Sequence, residues 1–232
     1  MGRRAESPAG PPAPASAAPT RPGAAAPVGS APADGPAGTA TAATTDRLAT
    51  MDERSSYLLV DGENIDATLG LSVLGRRPHP EERPRWNTLL SFIQEHWSEP
   101  THGLFFLAVA SDLPASFVQA LLAMGYTPIP LRGDGKVVDI AIQRTLTALA
   151  DRPADVALVS HDRDFVDQMR VLSEDEERRL AIVGFREFMA SDLRQVPRVE
   201  ILDLEFDAGT FTSPLPRVRV IEIDEFDPYE FI

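Results

Sequence analysis

With 232 residues the chain is long enough for one generous domain or two small ones, with a real hydrophobic core. Its net charge of −13 excludes nonspecific coating of nucleic acid by a broad basic face, so a polyanionic substrate needs a local basic patch and a bridging cation. The absence of cysteine excludes disulfides and thiolate metal sites and agrees with a reducing, cytoplasmic setting.

Residues 1–50 are dominated by Ala, Pro, Gly, Ser and Thr, and Val28 is the only branched aliphatic between Gly2 and Asp46. Such a segment buries too little apolar area to offset its ordering entropy, so a disordered tail is expected. No apolar run follows Arg3 and Arg4, so no secretory signal is expected. No stretch approaches the ~18 consecutive apolar residues of a membrane span.

The folded region is expected over 55–206. It opens with SYLLVDG (56–62), a short buried strand ending in a turn, and a helical start at 64–75 for which Asn64 is a plausible cap. A charged, proline-broken loop, RRPHPEERPR (76–85), leads to a helix over 86–97 with Trp86, Leu89, Leu90, Ile93 and Trp97 at helical spacing. Strand GLFFLAVA (103–110), helix 114–125 and the proline-disturbed strand YTPIPL (126–131) follow. After the turn RGDG, a helix is expected over 136–152, then strand DVALVS (155–160), helix 164–179, strand LAIVGF (180–185) and helix 187–196. Extended segments are expected at 199–206 and 218–223, the latter an edge strand in a C-terminal extension (207–232) that ends in the acidic DEFDPYEFI. Short apolar strands alternating with helices predict an α/β fold: a doubly wound, mostly parallel sheet with helices on both faces.

In such sheets, sites form at the carboxyl ends of strands near a switch in strand order. Asp61 ends the first strand, Asp162 follows the strand 155–160, and Asp139 opens the helix before that strand. Asp162 and Asp164, two apart on an extended segment, face the same side. Hard oxygen donors at this density suit Mg²⁺ or Mn²⁺, and carboxylates crowded without a cation would repel and take up protons. Each acid also has an ordinary structural role open to it. Asp164 or Asn64 serves equally as a helix cap, and Asp139 complements a helix dipole.

Three segments, LLVDGENID, KVVDIAIQRTL and VALVSHDRDF, resemble in order and spacing the motifs of the NYN domain family of PIN-like metal-dependent nucleases, over roughly 56–196. The resemblance implies an acidic metal centre of Asp61, Asp139, Asp162 and Asp164, with Asn64 helping to form the site and Lys136 preceding the helix aspartate. It also implies hydrolysis of RNA, single strands favoured, by one or two Mg²⁺ or Mn²⁺ ions. Lys136, the chain's only lysine, would then stabilise phosphate charge. The family's usual SGDSDF-like turn reads SHDRDF here, so His161 stands where a glycine is usual and is expected to narrow the cleft or add a ligand. Arg76, Arg77, Arg83 and Arg85 with Trp86 are candidates to hold the strand by phosphate contact and stacking; Glu81 and Glu82 inside that loop favour the alternative, a self-paired surface.

The rival expectation is a catalytically weak or inactive module that binds RNA, or a protein partner through the acidic C-terminus. A phospho-acceptor receiver needs a lysine on a later strand, and Lys136 precedes the helix instead. A nucleotide-binding P-loop is absent, because RGDGK is too short and is followed by valine.

Overall fold

The structure, a computed structural model, describes residues 54–109, 113–218, 221, 223, 226–230 and 232. The tail expected over 1–50 lies outside these residues, as does much of the segment 218–223.

The run SSYLLVD forms the central strand β1 (Ser55–Asp61), and its alternation is split between two cores. Leu58 and Val60 face one way and Leu59 the other, as the two-residue period of a strand requires. β1 pairs in parallel with β2 (Thr101–Ala108) on one side and β4 (Ala154–Val159) on the other. With β3 (Tyr126–Leu131), β5 (Leu180–Gly184) and β6 (Val199–Asp203) the sheet has six parallel strands in the order β3-β2-β1-β4-β5-β6. Both faces are covered, which is why the strands read as apolar throughout. On the Leu58 face lie α1 (Gly62–Thr68), α2 (Trp86–Trp97) and α3 (Ala115–Ala123). On the Leu59 face lie α4 (Val137–Ala150), α5 (Val166–Leu172) and α6 (Ser191–Arg194).

This strand order decides where chemistry can occur. The chain winds outward from β1 to β3, then crosses back through α4 to β4 on the far side of β1. Loops leaving β1 and β4 therefore part at their carboxyl ends and open a crevice.

Several elements depart from the sequence expectation. The helix expected over 164–179 is a 3₁₀ turn, Arg163–Phe165, followed by α5, because the acidic run after Leu172 has no apolar stripe to bury. The segment 187–196 likewise resolves into a 3₁₀ turn, Arg186–Phe188, and the single turn α6. Trp86 is 5% exposed and packs edge-on against Phe105 at 5.1 Å. It is therefore no open stacking platform: the helical stripe it shares with Leu89, Leu90, Ile93 and Trp97 turns it into the core.

Gly62, directly after Asp61, has no room for a side chain. A Cβ there would lie 2.5 Å from Phe105 Cε1, a ring that is itself fully packed. Gly62→Ala is expected to cost about 1–3 kcal/mol through displacement of Phe105, measured by urea unfolding, with m unchanged.

Beyond β6 the chain folds back and buries Arg217, whose side chain is 4% exposed. Its guanidinium meets Asp203 at 2.7 and 2.8 Å, Glu205 at 3.2 Å and Glu187, and lies over the Phe185 and Phe206 rings at 5.0 and 4.6 Å. Among the described residues no helix is long and apolar enough to cross a membrane.

Candidate metal centre

Asp61 closes β1 at 3% exposure, in the crevice beside β4. One carboxylate oxygen accepts from the Asn64 backbone N–H at 3.2 Å, which makes Asp61, not Asn64, the cap of α1; the helix starts two residues earlier than expected. The other accepts from Ser160 Oγ at 3.1 Å. Ser160 Oγ in turn accepts from the Asp162 N–H at 3.2 Å, so one hydroxyl fastens the exits of β1 and β4 together. Nothing in the sequence beyond its place before HDRD marked Ser160 out.

Asp162 and Asp164 occupy the turn after β4. Asp162 Oδ1 accepts from the Asp164 N–H at 3.1 Å, so the capping role belongs to Asp162 and leaves the Asp164 carboxylate to project. Gln143, one turn beyond Asp139 on α4, donates to the Asp164 carbonyl at 2.8 Å and fixes this turn against the helix. Asp139, in the first turn of α4, completes a group with Asp162 and Asp164 in which a carboxylate oxygen from each lies within 4.8 Å of the others. Asp61 stands outside that spacing. It shares with Asp139, Asp162, Asn64, Glu63 and Lys136 the walls of a cleft of about 290 Å³.

The Lys136 ammonium lies inside the acidic group, 2.5 Å from Asp164, 3.1 Å from Asp139 and 3.8 Å from Asp162. The hydrogen bonds it donates to Asp164 and Asp139, with the charge of Asp162 beside them, hold its proton more tightly than usual. Three carboxylates thus already close around one compact cation, and their donor set is the hard-oxygen kind that Mg²⁺ and Mn²⁺ favour. Asp61 adds a buried carboxylate whose hydrogen-bond donors are both neutral. The residues present fit a divalent cation.

His161 does not line this cleft. It is 6% exposed, with its ring stacked on Phe185 at 5.6 Å and room made for it by Gly184, where a Cβ would sit 2.8 Å from His161 Nε2. The expected narrowing of the cleft is corrected by this placement. The Phe185 N–H can only donate, so Nε2 accepts it at 2.7 Å, and the ring proton resides on Nδ1. Nδ1–H donates to Asn64 Oδ1 at 2.8 Å, and the His161 N–H donates to the same oxygen at 3.0 Å. Asn64 Oδ1 is thereby occupied from the interior, and the Asn64 amide NH₂ is the end left to the cleft.

Three of the loop's four arginines are already paired. Arg76 grips Glu82 at 2.7 and 2.5 Å, Arg83 meets Asp66 at 2.9 Å, and Arg85 donates to the Gly209 carbonyl at 3.0 Å. Arg77 is exposed. Sequence spacing placed these side chains together but could not show that Glu82 and Asp66 would take two of them and a backbone carbonyl a third.

Burial moves two groups of the site in opposite directions. It pushes Asp61 up to about 6 from an ordinary 3.8, with the charges of Asp139 and Glu63 adding to the shift. It pushes His161 down to about 4 from 6.5, against the opposing charges of Glu187 and Asp203. The fold binds the Asp61 proton better than the unfolded chain, so this group adds stability as pH falls from 6 toward 3.8. The fold binds the His161 proton worse, so this group removes stability as pH falls from 6.5 toward 4. In EDTA the two oppose each other. Asp61→Asn is expected to expose the His161 slope, with melting temperature falling from pH 6.5 to pH 4 more steeply than in the native chain; equal slopes would refute the assignment.

Residues 55–205 match the model of one protein family, described as NYN domain. Among solved structures the chain is similar to the crystal structure of a protein of unknown function from Vibrio parahaemolyticus RIMD 2210633, at 17% identity and a TM-score of 0.53. That match covers 67% of this chain and 95% of the other, and shows a shared fold. No curated protein matches the chain.

Proposed function

The chain belongs to the NYN domain family, a PIN-like nuclease domain family, and from that premise we propose that it is a divalent-metal-dependent ribonuclease hydrolysing RNA phosphodiester bonds. The observation that carries the proposal is the convergence of Asp139, Asp162 and Asp164 around one ammonium at the strand-order switch, with Asp61 in the same cleft. In an acidic chain the cleft is where a phosphate can be held, by a cation between two sets of negative oxygens. Single strands suit it better than duplexes, whose two backbones call for a broad basic surface.

Asp139, Asp162 and Asp164 would hold Mg²⁺ or Mn²⁺, with Asp61 completing the set from the end of β1. When bound, the cation supplies Lewis acidity, lowering the pKa of water and offsetting charge on phosphorus-bound oxygens. The water oxygen forms the new P–O bond and gives up one of its protons, while the ester oxygen opposite it leaves with the bonding pair and takes up one proton, so the hydrolysis is balanced. Lys136, released from the carboxylates, turns its ammonium to a non-bridging phosphate oxygen. Asn64, its Oδ1 engaged by His161, donates from its NH₂ to the same phosphate. The non-catalytic alternative drew on His161 crowding the cleft; with the ring packed against Phe185, that support is gone.

The test is cleavage of labelled single-stranded RNA and DNA with Mn²⁺, Mg²⁺ or EDTA, beside Mn²⁺ binding by calorimetry. Metal-dependent cutting of RNA upholds the proposal; a folded, metal-binding chain that cuts neither polymer overturns it. Lys136→Met is expected to bind Mn²⁺ at least as tightly as the native chain, because no ammonium competes for the carboxylates, yet to cleave more slowly.

A further inference from the structure

A second cavity, about 470 Å³, adjoins the acidic cleft across Glu63, which lines both. Glu63 Oε1 accepts from the Ala108 N–H at 3.0 Å, so this shared wall is fixed to the end of β2. The cavity is otherwise unlike the cleft. Its walls are Trp86, Phe105, Leu107 and Phe117, with Arg83 and Asp66 paired at 2.9 Å. Arg83 Nε is buried without a hydrogen-bond partner, although the same guanidinium is satisfied at its far end by Asp66. A buried donor left open is uncommon in a folded protein and points to an acceptor supplied from elsewhere.

We infer that this pocket binds a nucleobase of the strand whose phosphate lies at the carboxylates, the half-buried Phe117 and the other apolar walls flanking the base and Arg83 Nε donating to its acceptor edge. The inference rests on the nuclease reading for the position of the strand. Other occupants fit less well. An aliphatic side chain leaves Arg83 Nε open, and a phosphate meets Glu63 and Asp66, both acidic, at the walls. A base offers apolar faces together with in-plane acceptors, the pairing of properties that ligand pockets of this size use. Glu63 between the two cavities sets the spacing, since a backbone passing the acidic cleft lays its neighbouring base over that side chain.

The test uses the full chain and a labelled single-stranded RNA octamer in which one nucleotide at a time lacks its base. Affinity is read by fluorescence anisotropy with Ca²⁺ in place of Mn²⁺, and cleavage with Mn²⁺ is followed in parallel. One abasic position is expected to weaken binding about tenfold. Phe117→Ala and Arg83→Met should each weaken the intact octamer similarly, and removal of that base should cost these variants little more. Arg83→Met retains the apolar stem at a partly exposed position, so it serves if Phe117→Ala fails to fold, as judged by thermal melting. Equal tolerance of abasic sites at every position, losses that simply add in the variants, or no RNA binding overturns the pocket. The two proposals can fail apart: bound but uncut RNA with the expected pattern refutes the nuclease, and cut RNA indifferent to abasic sites refutes the pocket.

Discussion

Asp162→Asn is expected to lower metal-dependent RNA cleavage by at least about a hundredfold while leaving the fold intact, an effect within the several kcal/mol that a catalytic cation contributes. The substitution is narrow. Asparagine keeps an oxygen to accept the Asp164 N–H, now bonded at 3.1 Å, so the turn after β4 keeps its shape. What disappears is one negative charge from a group whose oxygens lie within 4.8 Å of each other. With two full charges left in that group and Lys136 still beside them, the ammonium competes better against a divalent ion. Mn²⁺ affinity should therefore fall together with cleavage, and raising Mn²⁺ should restore part of the rate. Asp192→Asn is the control. It removes an exposed carboxylate 3.5 Å from Arg163, outside the cleft, and neither affinity nor rate should change. A variant that unfolds, or one that retains native cleavage, would refute the assignment of Asp162 as a ligand.

Arg217→Ala is expected to destabilise the fold by about 3–5 kcal/mol, because it leaves partly buried acids without their cation. Asp203 and Glu205 are 2% and 11% exposed at their side chains, and Glu187 joins them from the turn after β5. The guanidinium and its hydrogen bonds hold Asp203 below the usual carboxylate range despite burial. For a chain of this size the loss corresponds to roughly 6–20 °C in melting temperature. Lysine at 217 should recover only part of it, since it lacks the planar fork and its stacking on Phe185 and Phe206. Phe185 also bears the His161 ring on its other contacts, so the variant is predicted to loosen Asn64 and slow cleavage in the fraction that stays folded. A melting temperature unchanged within 2–3 °C, roughly the effect of one kcal/mol, would remove the cluster from the account of stability.

Where acids gather in this fold was legible in the sequence because that logic is local. Asp61, Asp162 and Asp139 were found as acids at strand exits and at a helix start, where parallel α/β folds gather ligands. The same rule passes over Asp155, an acid at the opposite end of β4, which is fully buried and consumed by Arg54 at 3.1 Å and Arg179 at 2.6 Å. The caps were misplaced, by three residues at Asn64 and by two at Asp164, because capping depends on which carboxylate the first free N–H meets. His161 was misread for a related reason. A sequence position beside Asp162 says nothing about which side of the turn the ring takes, and that is decided by the space over Gly184 and the waiting N–H of Phe185.

The sequence by itself determined the alternation of buried strands and helices and the parallel sheet, since these follow from periodicity and length along the chain. Only the tertiary structure decided that β4 lies beside β1, that Lys136 sits among the acids, that the arginine loop is largely spent on its own neighbours, and that Trp86 and Arg83 wall a pocket. Each of these is a pairing between segments far apart in the chain. Competing partners of like chemistry are many there, and packing, not propensity, selects among them.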